Sequence, residues 1–242
     1  MKYYYDLHLH SCLSPCGDRD STPDSIAGMG ELNGLELMAL TDHNTCKNCP
    51  AFFTAARRHK IIPVAGMELT TAEDIHVVCL FETLEGAMAF DREVDACRVL
   101  VKNRPEIFGE QLIVDAQDKV LGQEEFLLIN ATEISLEQVP ELCARYGGVA
   151  FPAHIDREAN GILSVLGTFP RQPGFTAAEV YDATRRKEFS ALSGLPETRL
   201  LSGSDAHYLW HIREREQQLE LPAAGDEAAV RRALISYLRG ST

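Results

Sequence analysis

Short apolar runs alternate with amphipathic stretches from one end of this chain to the other. The apolar runs predict strands near Tyr3–Leu9, Gly34–Thr41, Ile61–Met67, His76–Phe81, Gly148–Pro152, Ala178–Tyr181 and Leu200–Ser204. Helices are predicted between them, over Asp24–Leu32, Pro50–His59, Leu84–Val101, Ser135–Tyr146 and Asp226–Leu238. Pro50 suits a first helical turn; Ser135 and Asp226 are good N-cap types, each followed by a glutamate where negative charge favours the helix dipole. Such alternation implies βα units and a mainly parallel sheet. The stretch from Asn103 to Asn130 breaks the pattern, because two short alternating runs flank a polar turn at Ala116–Lys119, and it reads as an inserted hairpin. With no internal repeat and no linker-like segment, residues 1–242 are expected to form a single domain.

Polar residues of one kind recur at these strand ends. The first strand ends in "DLHLH", with His8 and His10 two apart, so both imidazoles project to one face of an extended chain. The second is followed by "TDHN" (Asp42, His43), the third by "GMELT" (Glu68), and the fourth begins "IHVV" (His76). "PAHID" (His154) and "SGSDAH" (Asp205, His207) follow later strands. In a parallel α/β barrel or open sheet, strand C-termini open on one face, where side chains from different strands meet. A lone strand-end histidine is ordinarily a hydrogen-bonded structural residue, but the recurrence in one βα series favours a metal centre. His59 and His211 fall outside the series and are read as structural. Imidazoles with carboxylates suit Zn, Mn or Fe. Eight candidate ligands are too many for one ion, so about two or three divalent ions are implied, with Glu68 a natural bridge. Clustered ions of this kind lower the pKa of a bound water and neutralise a phosphoryl group, which is hydrolytic chemistry.

The ordered motifs from "DLHLH" to "SGSDAH" resemble the PHP family, named for polymerase and histidinol phosphatase, over Tyr3 to His207. The resemblance implies a distorted (βα)7 barrel with a trinuclear metal centre at its C-terminal face and phosphoesterase activity. It places His8, His10, His43, Glu68, His76, His154, Asp205 and His207 in the family's metal-binding positions. A ninth ligand usual in the family falls here within "SCLSPCGDRDSTP", where Asp18 is assigned, with Cys16 and Asp20 as competitors. In the implied mechanism a metal-activated hydroxide attacks phosphorus, Asp42 orients a neighbouring ligand, and Arg157 clamps phosphate bidentately, though as a loop charge it could equally be solvated.

Charge and cysteine content qualify this picture. The formal charge of −13 argues against a broad nucleic-acid or anionic-membrane surface, so the expected partner is a small phosphorylated molecule or a nucleotide, and extended nucleic-acid binding is unlikely. No apolar leader or membrane-length run is present, which gives a cytoplasmic expectation. Seven cysteines fit reduced thiols or metal ligands better than a disulfide framework. Cys12 and Cys16 follow the first strand, Cys46 and Cys49 the second; they are read as free thiols in the first instance, or as a second site if all four converge. An amidohydrolase-like enzyme would need a lysine between two metals, for which Lys47 and Lys60 are poorly positioned. A non-catalytic metal- or phosphate-binding module is the remaining alternative.

Overall fold

The computed structural model describes residues 1–222 and 225–240. Its first half runs β1 (Lys2–Asp6), α1 (Pro23–Leu32), β2 (Leu37–Leu40), α2 (Cys49–Arg58), β3 (Ile62–Thr70), β4 (His76–Phe81), α3 (Leu84–Asp95) and a short α4 (Pro105–Phe108). It continues with β5 (Leu112–Val114), β6 (Val120–Gln123), α5 (Val139–Arg145), β7 (Gly148–Pro152), α6 (Ile162–Leu166), β8 (Ala178–Glu179), α7 (Arg186–Ser193), β9 (Leu200–Leu201), β10 (Gln218–Glu220) and α8 (Glu227–Leu238). α1, α3 and α8 start where side chains satisfy their free N–H groups: Thr22 accepts from Ser25 N, Thr83 from Gly86 N, and Asp226 from Ala229 N at 2.7 Å. Among the described residues no helix is long and apolar enough to cross a membrane.

The main sheet has the order β10-β1-β2-β3-β4-β7. β1, β2 and β3 are mutually parallel, but β4 is antiparallel to both β3 and β7, which corrects the expectation of a mainly parallel sheet. The reason is the link between Thr70 and His76, which pair with each other across a tight turn closed by Thr71 N–H donating to Ile75 O at 2.9 Å. A chain that short cannot make the crossover a parallel neighbour needs. The sheet curls, and its edges meet through the parallel pair β8–β9. Ile155 N donates to Glu179 O (2.8 Å), joining the chain after β7 to β8. On the other side Asp205 N donates to His8 O and His10 N to Ala206 O, both 3.0 Å, joining the chain beyond β9 to that beyond β1. The result is the distorted α/β barrel.

Alternate residues of each strand serve two cores. Tyr3, Tyr5, Leu37, Ala39, Val64, Val78, Leu80 and Phe151 pack inside with Val230, Leu234 and Leu238 of α8. Met38, Leu40, Met67, Cys79 and Phe81 pack outside against Ile26, Phe52, Phe53 and Phe90 of the surrounding helices. Glu68 is four residues beyond Val64 and His76 two before Val78, so period-two geometry places both on the inner face, above the apolar filling. Because β4 is inverted, the residue that begins it lies at the same end of the barrel as residues that finish its neighbours.

Two helices are shorter than their sequence pattern suggests. α3 ends at Asp95, and Val99 to Val101 lie exposed beyond it. α5 begins at Val139, so that Pro140 falls in its first turn; Ser135 bonds the Gln138 side chain instead of capping. Within 103–130, β5 and β6 pair antiparallel. Asn48 ties β5 to the loop after β2, donating to Leu112 O and accepting from Val114 N, both at 3.1 Å.

Candidate metal centre

Glu68, fully buried on β3, is the hub of the C-terminal face. His8, His76 and His154 approach its Oε1 at 3.2, 2.9 and 3.1 Å. His10 and His43 approach Oε2 at 3.3 and 2.9 Å. Asp205 Oδ1 lies 3.2 Å from His10 Nε2 and 3.5 Å from His8 Nε2, and His207 stacks on His10 with centroids 4.1 Å apart. All eight residues assigned as ligands from the motif series are therefore brought into one cluster, buried except for the half-buried His207. The donor atoms of seven of them fall into three overlapping groups: His10, His43 and His207; His8, His10, Glu68 and Asp205; and His43, Glu68 and His76; His154 joins through Glu68 Oε1 alone.

Of these approaches to Glu68, only that of His154 Nε2 to Oε1 (3.1 Å) has hydrogen-bond geometry. His8 Nε2, His10 Nε2, His43 Nδ1, Glu68 Oε2 and both nitrogens of His76 are buried with no hydrogen-bond partner among the described residues. Buried polar atoms are rarely left so, because each carries a desolvation cost of about 1–3 kcal/mol. Atoms that converge without pairing fit shared cations placed between them, and the imidazole and carboxylate donor set fits Zn, Mn or Fe.

Surrounding residues fix which nitrogen of two histidines faces inward. Glu179 Oε1 lies 2.8 Å from His8 Nδ1, and a carboxylate can only accept, so Nδ1 carries the proton and Nε2 presents a lone pair to the centre. Asp42 accepts from Ser14 Oγ (2.8 Å), whose oxygen lies 3.0 Å from His10 Nδ1, so the same tautomer follows for His10. Asp42 also accepts from Ser11 N and Ser11 Oγ, both 2.7 Å. Asp42 thus acts on His10 through Ser14. Neither Glu179 nor Ser14 was singled out in the sequence; the signal for Glu179 is an acidic residue inside the short apolar run "TAAEVY". The backbone bends sharply at the centre, where His154 (φ 27°), Asp205 (φ 51°) and Asn44 (φ 50°) hold left-handed conformations that cost side chains of this kind about 1 kcal/mol or more.

Burial opposes charge on every group, but the outcome differs across the centre. It drives His43 down to about 4 and His207 down to about 3. At His8 and His10 the desolvation is overcome by Glu179, Glu68 and Asp205, so His8 is pushed well above the usual histidine range and His10 up to about 9. Glu68 is likewise held well below the ordinary carboxylate range by His76, His8 and His43 against desolvation. A centre without cations would retain imidazole protons in their place.

Arg157 Nη1 donates to Asp205 Oδ2 at 2.5 Å, and its guanidinium lies 3.9 Å above the Tyr181 ring. It stands beside the centre, in a cleft of about 360 Å³ lined also by Cys16, Asp205, His207, Tyr208, His211 and Arg213. His59 lies elsewhere, between Asp24 and Glu31. Asp18 stands beside the cluster, its N–H donating to His207 O at 2.8 Å, while its Oδ1 accepts from Asp20 N within its own loop and neither Asp18 nor Asp20 joins a ligand group. Of the three competitors for that position only Cys16 lines the cleft. The four loop cysteines do not converge. Cys46 and Cys49 both point at Gly66 O (3.2 and 3.5 Å), Cys12 packs with Leu112 and Val114, and among the described residues no ligand group includes a cysteine.

Residues 6–107 match the family model of the PHP domain, which bears out the resemblance carried by the motifs. "PAHID" and "SGSDAH" lie beyond that match, yet the fold brings them to the same centre. DNA polymerase III PolC-type of Bacillus subtilis is 35% identical over 75 residues, covering 28% of this chain and 5% of the polymerase. The lesion-specific Endonuclease Q of Pyrococcus furiosus shares the fold with a TM-score of 0.63 at 16% identity, over 100% of this chain and 57% of that one. A protein described as a metal-dependent phosphoesterase, from Bifidobacterium adolescentis, has a TM-score of 0.57 at 16% identity over 95% of both chains. The chain thus spans a small part of the curated polymerase and little over half of the endonuclease. Endonuclease Q has also been solved with a 27-mer duplex substrate bearing an abasic lesion at the active site (TM-score 0.59). That finding overturns the expectation, drawn from net charge, that extended nucleic-acid binding is unlikely. Net charge sums the whole surface, whereas a substrate meets only the local field at one cleft.

Proposed function

We propose that this chain is a metal-dependent phosphoesterase acting on a phosphodiester of a nucleotide or nucleic acid, with about two or three divalent ions held by His8, His10, His43, Glu68, His76, His154, Asp205 and His207. The observation that carries this reading is Glu68 at the hub of five imidazoles, four of which (His8, His10, His43 and His76) bring buried nitrogens to its carboxylate without hydrogen bonding to it. The match to the PHP domain and the fold shared with an endonuclease and a phosphoesterase support it. When bound, such ions supply an activated water at neutral pH and offset the charge of the phosphoryl oxygens. The chain's own residues do the rest. Glu179 and the Asp42–Ser14 pair hold His8 and His10 in the ligating tautomer. Arg157, anchored by Asp205 and stacked on Tyr181, presents its remaining N–H groups to a phosphate entering the cleft. An amidohydrolase-like alternative is disfavoured because Lys47 is paired with Glu124 outside the cluster and Lys60 is exposed.

The reading is tested with protein purified without chelator. Release of nitrophenolate from bis-p-nitrophenyl phosphate faster than from p-nitrophenyl phosphate, by a sample holding about two or three Mn, Fe or Zn per chain, is the expected result. His8→Ala and Asp205→Ala are expected to abolish hydrolysis with the circular dichroism spectrum retained. Full activity in either reconstituted variant, or no metal uptake by folded wild type, overturns it.

A further inference from the structure

The segment after the ligand His207 carries an aromatic shelf that the metal centre does not use. Trp210, the only tryptophan in the chain, is 69% exposed, and Tyr208 is 37% exposed. Their ring centroids are 4.8 Å apart, and His211 meets Tyr208 at 5.3 Å. Tryptophan is ordinarily a well-buried residue, so one that touches only Tyr208 and His211 and is otherwise in water offers aromatic surface to a ligand. The shelf continues into the cleft beside Asp205 and His207, where Arg157 and Arg213 lie 3.9 and 5.1 Å from the Tyr181 ring. Two guanidinium groups thus gather at this mouth in a chain of formal charge −13. Cations that hold phosphate, next to exposed rings that offer stacking faces, are the combination that binds unpaired nucleotides.

We propose that Tyr208 and Trp210 form a nucleobase subsite, on which an unpaired base flanking the scissile phosphodiester stacks while Arg157 holds its phosphate. The substrate class is then a single-stranded or locally unpaired nucleic acid, read through the π-face of a base rather than its sequence. The proposal rests on the phosphoesterase reading of the adjoining centre and adds what lies next to the cleaved phosphate.

The sole tryptophan makes the test direct. Metal-loaded wild-type protein is titrated with a 5′-phosphorylated oligothymidylate, with an abasic oligomer of the same length, and with inorganic phosphate, following Trp210 fluorescence. Anisotropy of a labelled oligothymidylate gives the affinities of wild type, Tyr208→Ala and Trp210→Ala. Quenching by the oligothymidylate alone, and affinity lower by about fivefold or more in each variant, is expected. Equal quenching and affinity for the abasic oligomer, or variants that bind like wild type, overturn the subsite. Hydrolysis of bis-p-nitrophenyl phosphate by the same wild-type sample reads the centre separately. If the ester is cleaved but base and abasic oligomers do not differ, the subsite alone fails; if base-dependent quenching occurs without cleavage of any ester, the subsite stands and the phosphoesterase reading fails.

Discussion

The smallest feature on which the centre depends is a hydrogen atom in place of a methyl group. At Gly203, in "SGSDAH", an added Cβ would lie 2.5 Å from Glu179 Oε2 and 2.6 Å from His8 Cβ, so a side chain there displaces both the ligand and the carboxylate behind it. Gly203→Ala is therefore expected to lower metal occupancy and hydrolysis together, by about tenfold or more, and elemental analysis beside the diesterase assay checks it. Glu179→Gln isolates the electrostatic part. The amide keeps the volume but can offer either its oxygen or its NH₂ to His8 Nδ1, so the tautomer is no longer fixed by an acceptor-only group. Metal affinity, measured by competition with a fluorescent chelator, is expected to fall about 10–100-fold, and the cation-free protein is expected to melt lower because the buried His8 proton loses its nearest carboxylate. Affinity equal to wild type would show that Glu179 merely fills space.

At the scale of elements, one carboxylate ties the end of the hairpin β5–β6 to two cations outside it. Glu124, just after β6, pairs with Lys47 at 2.5 Å and with Arg98 at 3.4 Å, whose Nη2 also donates to Phe126 O at 3.0 Å. Against desolvation, these two cations hold Glu124 below its usual 4.5. A carboxyl with a depressed folded pKa adds stability above its unfolded value and loses it as pH falls. Glu124→Gln is thus expected to cost about 1–3 kcal/mol at neutral pH, with the two melting curves drawing together as pH falls below 4.5 and amide exchange rising across 99–130. Much of this scale was legible in the sequence: the apolar runs place β4 and β7 at their observed bounds, and the motif order gathers the eight candidate ligands. Strand direction was not, because period-two alternation is the same read either way; only the shortness of the 71–75 link disfavours a parallel β4. Pro140 similarly marked the start of α5, and Ser135 drew it too early. α6, α7 and β10 left little pattern, since they are brief or largely exposed, and Glu179 is a single carboxylate in a short apolar run, with no histidine beside it to mark the centre.

For the molecule as a whole, the barrel holds Glu68, Asp205, Glu179, Asp42 and Asp6 buried together at one end, in a chain already of formal charge −13. Cations between these groups would offset that cost, and anything that binds the folded chain and not the unfolded one raises stability by mass action. With metal at about a thousandfold above its dissociation constant the gain is about 4 kcal/mol, which in a chain of this length corresponds to a rise in melting temperature on the order of 10 °C. The size of that rise should depend on pH, with a definite sign. In the cation-free protein His10 is raised from 6.5 to about 9, so the stability its proton brings is fully present below 6.5 and is lost as pH rises through 9. The metal-loaded centre has already given up that proton and suffers no such loss. Calorimetry with and without chelator should therefore show the gap between loaded and stripped protein widening from about pH 6 to pH 9. A gap that stays constant or narrows over this range would mean that protons and metal ions do not compete for the same imidazoles, and would remove His10 from the ligand set.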